Sequence, residues 1–233
     1  MKLLNILILS FTLFTSSQYA FADAYDDGIS LFNKGEYKKS ISFFSSAAEN
    51  GDAYAQSQLA YMYEKGYGLD VNNTLAAKWY LKAAKQGVVS AQASLGLFYL
   101  QGFGVDQDLK QGFYWTLKAA EQGEAKSQNN VGYMYGKGEG VSRNDKQSIY
   151  WYLKAAEQGH RVAQAALGYM YSEGLGVETN DVKGLMWLLV CHKQGYIQSD
   201  LTRKAVMSKM NASQITKAEN LATACESNKY KNC

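Results

Sequence analysis

A strict 36-residue spacing of tryptophan and glycine runs through this chain and limits what it can fold into. The tryptophans are Trp79, Trp115, Trp151 and Trp187, so every gap between them is 36 residues. Sixteen of the 21 glycines follow the same spacing, in four series: Gly51, Gly87, Gly123, Gly159 and Gly195; Gly66, Gly102, Gly138 and Gly174; Gly68, Gly104, Gly140 and Gly176; and Gly96, Gly132 and Gly168. Such a fixed period is the signature of a repeat architecture. We therefore expect a row of similar units rather than one central core.

Each repeat has the pattern of two helices. In the repeat that ends at Gly123, apolar residues at helical spacing predict a first helix over Val88–Leu100. Gly102 and Gly104 are expected to end it, because glycine readily takes the left-handed conformation of a helix C-terminus. A second helix is predicted to begin at Asp108, whose short side chain suits an N-cap. The equivalent residues in the other repeats are Asn72, Asn144 and Asn180.

Small and large residues alternate between the predicted helices in a way that favours close stacking. Alanine pairs at 83–84, 119–120 and 155–156 allow close helix approach, and the tryptophans with the tyrosines at 63, 99, 135 and 171 are expected to fill the space between helices. One helix pair cannot bury so much apolar surface, but stacked pairs can. The predicted fold is all-α: a right-handed α-solenoid of stacked 36-residue antiparallel helix pairs.

The repeat pattern gives the domain organisation. It predicts a signal peptide over 1–22, a degenerate N-terminal repeat over 23–51, four full repeats over 52–87, 88–123, 124–159 and 160–195, and C-terminal capping helices with a tail over 196–233. Asn211-Ala-Ser213 is expected to divide the cap into two helices.

The first residues have the features of a segment for export. Lys2 precedes the short apolar run Leu3–Phe14, and Ala20-Phe21-Ala22 matches a small-x-small cleavage site. Cleavage is predicted after Ala22, and the alternative is a retained N-terminal anchor. We expect an exported protein, periplasmic or secreted from a bacterial source, with no integral membrane segment after cleavage.

Composition excludes several classes of partner. The chain has 24 basic and 21 acidic residues, a net charge of +3, which is too balanced for a dedicated nucleic-acid binder. Two histidines and three cysteines leave little material for a metal site. We predict no metal, no cofactor, no nucleic-acid partner and a monomeric protein.

The repeats resemble a known family. The resemblance is clearest in the strings AAKWYLKAAKQGVVSAQASLGLFYLQGFGV and SIYWYLKAAEQGHRVAQAALGYMYSEGLGV, which look like Sel1-like repeats, a tetratricopeptide-like class. The family often has proline after the Gly-x-Gly-hydrophobic loop, where this chain has Asp70, Asp106, Ser142 and Glu178. The resemblance implies an adaptor or scaffold that binds a protein or peptide. Some cysteine-rich relatives are β-lactam-binding proteins or weak β-lactamases, which gives the alternative function.

The motifs of penicillin-recognising enzymes are missing. The sequence has no Ser-x-x-Lys, Lys-Thr-Gly or Ser-Asp-Asn, so we predict no catalytic residues. Cys191 and His192 occupy the slots of an alanine pair and are expected to pack in the core, while His160 is expected at the surface. Because export permits disulfides, Cys225 and Cys233 are predicted to pair, with Cys191–Cys225 as the rival connectivity.

The resemblance to tetratricopeptide proteins also implies where a partner binds. Such proteins bind along the concave face, which the first helix of each repeat lines. The residues selected in this way mix tyrosine with both signs of charge, which suits protein or peptide recognition. They are Tyr54, Tyr61, Lys65, Asn129, Tyr133, Lys137, Tyr169 and Glu173.

Overall fold

The structure, a computed structural model, describes residues 24–233. The predicted signal peptide therefore lies outside the described residues. Residues 24–233 contain α-helices and one 3₁₀ turn but no strand. The chain divides into two compact units at residues 107 and 108, here called the N-terminal unit and the C-terminal unit. Within each unit, consecutive helices pack against each other, which confirms the all-α stacked fold.

The N-terminal unit holds five helices. They are α1 (24–33), α2 (Tyr37–Glu49), α3 (Ala53–Lys65), α4 (Asn73–Lys85) and α5 (Val89–Gln101). Phe44, Leu59 and Met62 are almost fully buried and join α2 to α3. The first helix of the repeat that ends at Gly123 is predicted over Val88–Leu100, and in the structure it begins and ends one residue later.

The C-terminal unit holds seven helices and the 3₁₀ turn Ile197–Ser199. The helices are α6 (Leu109–Glu121), α7 (Ala125–Lys137), α8 (Asp145–Ala156), α9 (Arg161–Glu173), α10 (Asp181–Lys193), α11 (Asp200–Ser208) and α12 (Ala212–Ser227). The predicted break in the cap is confirmed, since Asn211 is the N-cap of α12 and forms a capping box with Gln214.

The predicted caps of the second helices are confirmed in both units. The Asp108 carboxylate accepts from the backbone N–H groups of Lys110 and Gln111 at 2.9 and 3.0 Å. Each cap satisfies a donor that the start of a helix leaves free, which typically stabilises a helix by about 1 kcal/mol. The other caps accept in the same way and are Asn72, Asn144 and Asn180.

The core is built from the alanine pairs and most of the tryptophans. Every residue of the three pairs is at most 1% exposed, which lets the second helices approach their neighbours closely. Trp115, Trp151 and Trp187 are buried as predicted. Trp79 differs: it is only partly buried, and the Lys82 ammonium lies 3.9 Å from its ring centroid. The stacked frame fixes the first helices, whose outer surfaces hold the predicted partner residues.

Candidate binding surface on the first helices

The predicted residues of the N-terminal unit all lie on α3, but they differ in accessibility. Tyr54 is 63% exposed. Tyr61 is partly buried, with its ring centroid 5.7 Å from that of Tyr67 and 6.5 Å from that of Phe32. Tyr61 therefore contributes to packing as well as to surface.

Lys65 belongs to a polar cluster whose ion pair and hydrogen bond are both made within the N-terminal unit. Its ammonium lies 2.5 Å from Glu64 Oε1, and the Tyr80 hydroxyl donates to Glu64 Oε2 at 2.7 Å. Burial, and then the hydrogen bond to Glu64, raise the pKa of Tyr80. The Glu64 carboxylate thus already has two donors from its own unit.

The C-terminal unit brings three of the predicted residues to one cleft. Tyr133 and Lys137 on α7 and Tyr169 on α9 line a cavity of about 380 Å³. Tyr133 is 45% and Tyr169 50% exposed, so both rings present apolar surface to solvent. This surface, with Lys137, is the strongest candidate site that the structure describes.

The other walls of the cleft were not identified from the sequence. They include Ser148 and Tyr152 from α8, together with Arg143 and Asp145 at its start. Ser148 Oγ donates to the Gly132 carbonyl at 2.7 Å, which fixes α8 against α7. A signal was present in the sequence, because Gly136 stands where the equivalent position 72 residues earlier has Glu64.

The charges around the cleft are unequally paired. Arg143 donates to both oxygens of Asp145, at 3.0 and 2.9 Å, and this contact raises the pKa of Arg143. Lys137 makes no ion pair with any residue from 24 to 233. The charge of Glu139 raises the pKa of Tyr133, and burial raises the pKa of Tyr152 to about 12. Both phenols are therefore neutral donors near pH 7.

Two predicted residues do not reach this cleft. Asn129 is partly buried, and its side-chain oxygen has no hydrogen-bond partner among the described residues. The Glu173 carboxylate lies 3.6 Å from the Lys209 ammonium, so the C-terminal cap already engages it.

The histidine expectations are corrected by the structure. His192 was expected in the core, but its side chain is 37% exposed and its Nδ1 lies 2.8 Å from Asp200 Oδ1. The imidazole is longer than alanine and reaches out of the alanine slot. His160 was expected at the surface, but it is partly buried because its Nδ1 caps α9 by accepting from the Ala163 N–H.

The cysteines occupy two different environments. Cys191 is fully buried, with its sulfur 3.2 Å from Ser199 Oγ, and burial raises the pKa of its thiol. A thiol in this setting is a poor nucleophile, since thiolate formation is disfavoured. The sulfur atoms of Cys225 and Cys233 lie 2.00 Å apart, at the distance of a disulfide bond.

Residues 24–233 hold neither a cluster suited to a metal ion nor a helix able to span a bilayer. No group of three or more histidine, cysteine, aspartate or glutamate side chains there is arranged to hold a metal ion. In the same part of the chain, none of the helices combines the length and the apolar character needed to span a bilayer.

One family model matches most of the chain. The Sel1 repeat model matches five times, over residues 15–52, 53–88, 89–124, 125–160 and 161–189. The four later matches begin one residue after the boundaries that the glycine pattern gives. The protein belongs to the Sel1 repeat family.

Two solved structures resemble it at 30% sequence identity. One is a protective antigen of uropathogenic Escherichia coli strains that displays an SLR fold; the TM-score is 0.79, and the match covers 93% of this chain but 48% of that one. The other is a Sel1 repeat protein from Oxalobacter formigenes, with a TM-score of 0.74 and coverage of 87% and 82%. A comparison with curated proteins found no match.

The family has a general class of function. Sel1 repeat proteins generally mediate protein–protein interaction, and the family is typically a non-enzymatic scaffold. No finding favours the β-lactam alternative.

Proposed function

We propose that the protein is an exported adaptor that binds a protein or peptide partner on its first helices. The observation that supports this most directly is the pair Tyr133 and Tyr169. Two large rings, about half exposed, border the same cleft on the neighbouring first helices α7 and α9. Family membership supplies the class of partner.

The residue types suit this role on energetic grounds. A tyrosine offers a large apolar area and a polar tip while losing only two side-chain torsions on binding. Interface energy usually concentrates in a few aromatic or arginine anchors, each of which contributes about 2 kcal/mol or more. The cleft has the aromatic rings at its border, and charged groups of both signs can form its polar rim.

Export is supported by the sequence of residues 1–22 and by the cysteines. A basic start, a short apolar run and a small-x-small site are the parts of a secretory signal. A cysteine pair at disulfide distance is typical of proteins that fold in an oxidising compartment. The mass of the mature protein from the cell envelope tests this directly, since cleavage after Ala22 leaves Asp23 as the N-terminus.

Site-specific photocrosslinking tests the binding role. A photoreactive amino acid replaces Tyr133 in one variant and Tyr150 in another, and both are expressed in the native cell envelope. Tyr150 is a matched control, because it is 47% exposed but lies on the second helix α8. The expected result is a discrete crosslinked protein at position 133 that is absent at 150. Equal crosslinking at both positions, or at 150 alone, would contradict the proposed surface.

A further inference from the structure

The N-terminal unit has a carboxylate, that of Glu64, at the position equivalent to the cleft of the C-terminal unit. Glu64, near the end of α3, accepts from the Tyr80 hydroxyl at 2.7 Å and lies 2.5 Å from the Lys65 ammonium. One tyrosine from the second helix and one lysine at the end of the first helix thus hold a single carboxylate.

Two repeats further along the chain, the same donors are present without the acid. Lys137 and Tyr152 lie 72 residues after Lys65 and Tyr80, but Gly136 stands in place of Glu64. The Tyr152 ring packs on α7, where a Cβ at Gly132 would lie 2.9 Å from it. This packing leaves the phenol beside the cleft of about 380 Å³.

The donors of the C-terminal unit have no internal acceptor. The Tyr152 hydroxyl makes no hydrogen bond, and Lys137 no ion pair, with any described residue. Asp145 also lines the cleft, but both of its oxygens accept from Arg143. Ala166 stands in place of Ser94, whose hydrogen bond to Tyr80 lowers the pKa of that phenol, so Tyr152 lacks this second partner too.

From this internal comparison we infer that the cleft binds a carboxylate of the partner, with the Tyr152 hydroxyl and the Lys137 ammonium as its donors. The carboxylate takes the place that Glu64 fills in the N-terminal unit. The inference rests on the proposed function and names the chemistry that the binding surface recognises. An acidic side chain of a peptide and a chain-terminal carboxylate share this chemistry.

The surrounding charges are compatible with an incoming anion. The charged residues of the lining are Lys137, Arg143 and Asp145, and the last two neutralise each other. Glu139 interacts with the Tyr133 hydroxyl and keeps its negative charge, but it is not part of the lining. Lys137 is thus the unpaired charge of the lining, and it is positive. The exposed rings of Tyr133 and Tyr169 supply apolar contact next to it.

Introducing the Glu64 arrangement of the N-terminal unit into the C-terminal unit gives a variant with its own acid in the cleft. A Cβ at Gly136 would lie 3.1 Å from Ser148 Oγ, so Gly136→Glu alone is crowded. The residue equivalent to Ser148 is Ala76, and the double change Gly136→Glu with Ser148→Ala therefore reproduces the Glu64 surroundings. We expect this variant to fold, with the new glutamate side chain occupying the cleft. Ser148→Ala alone is the matched control, because it removes the hydrogen bond to Gly132 without adding an acid.

The test uses small probes and the full mature protein labelled with ¹⁵N. The probes are N-acetylglutamic acid α-amide, N-acetylglycine and the neutral N-acetylglutamine α-amide. The acids should give saturable shifts of the Gly136 and Lys137 amide signals, and the neutral amide should bind at least about tenfold more weakly. The tighter-binding acid distinguishes a side-chain source from a chain terminus.

The binding of the probes to the variants tests the inference. The double variant should lose the acid-dependent shifts relative to Ser148→Ala, and Tyr152→Phe should weaken binding about tenfold relative to the wild type with the ring still in place. Shifts of equal size with the neutral amide, no saturable shift up to about 100 mM, or undiminished binding by the double variant would overturn the inference.

Failure of this inference is distinguishable from failure of the adaptor proposal. If the double variant still captures a crosslinked partner, the carboxylate site is wrong and the adaptor role stands. If the acids bind but no partner is crosslinked at position 133, the site stands and the adaptor role does not.

Discussion

The Gln158 side-chain amide donates to the Gln128 side-chain oxygen at 2.8 Å and to the Gly123 carbonyl at 2.9 Å. Gln128 in turn donates to the Ala120 carbonyl at 3.2 Å. Two glutamines thus join the turn after α8, the first helix α7 and the end of α6. The same pairing occurs in other repeats, between Gln86 and Gln56 at 2.9 Å and between Gln194 and Gln164 at 2.7 Å.

Replacing the buried Gln128 should destabilise the protein, because its side chain links two neighbouring repeats. Gln128→Ala leaves the Ala120 carbonyl without this donor and Gln158 without its acceptor, and we expect a loss of about 2 kcal/mol in the free energy of unfolding. Urea denaturation followed by circular dichroism measures it. Gln147→Ala, an exposed change on α8, is the control and should have little effect. Similar stability of the two variants would show that the glutamine bridges contribute nothing.

Gly123 and Gly140 both have a left-handed backbone conformation, but replacing each with alanine should destabilise the protein by very different amounts. Gly123 and Gly140 both have positive φ, +96° and +70°. A Cβ at Gly123 meets nothing within 4 Å, whereas at Gly140 it would lie 2.0 Å from the Leu109 carbonyl oxygen. We expect a cost of about 1 kcal/mol for Gly123→Ala, from the left-handed conformation alone, and about 3 kcal/mol or more for Gly140→Ala. Thermal melts compare them, and equal shifts would contradict the close approach of this loop to α6.

His160 should make stability fall as the solution becomes acidic. Burial is the main cause that lowers its pKa below the ordinary value of 6.5, and neighbouring Arg161 and Lys126 act in the same direction against an opposing contribution from Glu124. Because the folded state binds the proton less readily than the unfolded state, stability is complete above pH 6.5 and decreases as pH falls through the folded pKa. Protonation also removes the Nδ1 acceptor that caps α9.

The variant His160→Asn isolates this contribution. Asparagine keeps a capping oxygen and does not titrate, so its free energy of unfolding should decrease less than that of the wild type between about pH 7.5 and pH 5. Urea titrations at both pH values measure the difference. An unchanged pH dependence would mean that other groups account for the loss.

The pairing of Cys225 with Cys233 should be chemically demonstrable in exported protein. Reduced and non-reduced peptide maps are expected to differ by this link, and a crosslinked peptide that contains Cys191 would support the rival connectivity. The eight-residue separation limits the stabilisation to about 2–3 kcal/mol. Cys225→Ser with Cys233→Ser should lower stability within that limit, and adding a reductant to this variant should then change nothing further.

Partner affinity should depend on the exposed first-helix tyrosines. Tyr133→Ala is expected to weaken binding of the crosslinked partner by more than about 1 kcal/mol, while Tyr150→Ala and Lys118→Ala on second helices should have little effect. Calorimetry measures the affinity, and circular dichroism must show each variant folded. If Tyr133→Ala binds normally while changes at Tyr67 or Phe103 abolish binding, the Gly-rich loops carry recognition instead.

The helices were largely predictable because their signals are local and repeated. Cap residues such as Asp108, the C-terminal glycines and the alanine pairs each act within one or two turns of helix. The cleft was less predictable because it depends on which side chains meet. The repeat positions identified Tyr133, Lys137 and Tyr169, but Tyr152 was missed, and its only signal was Gly136 in place of Glu64. The prediction that His160 lies at the surface was wrong for a similar reason, since an imidazole can cap a helix from a half-buried position.

Within each unit, helices stack mainly on near neighbours in the sequence, which also determines how the chain can fold. Contacts between neighbours in sequence need only short loops to close, and proteins rich in such contacts reach the native state quickly. The sequence contains no proline, so the slow cis–trans isomerisation that delays many proteins has no bond on which to act. A slow step that still applies is the oxidation of Cys225 and Cys233 to the predicted disulfide, whose rate depends on the oxidant that the compartment supplies.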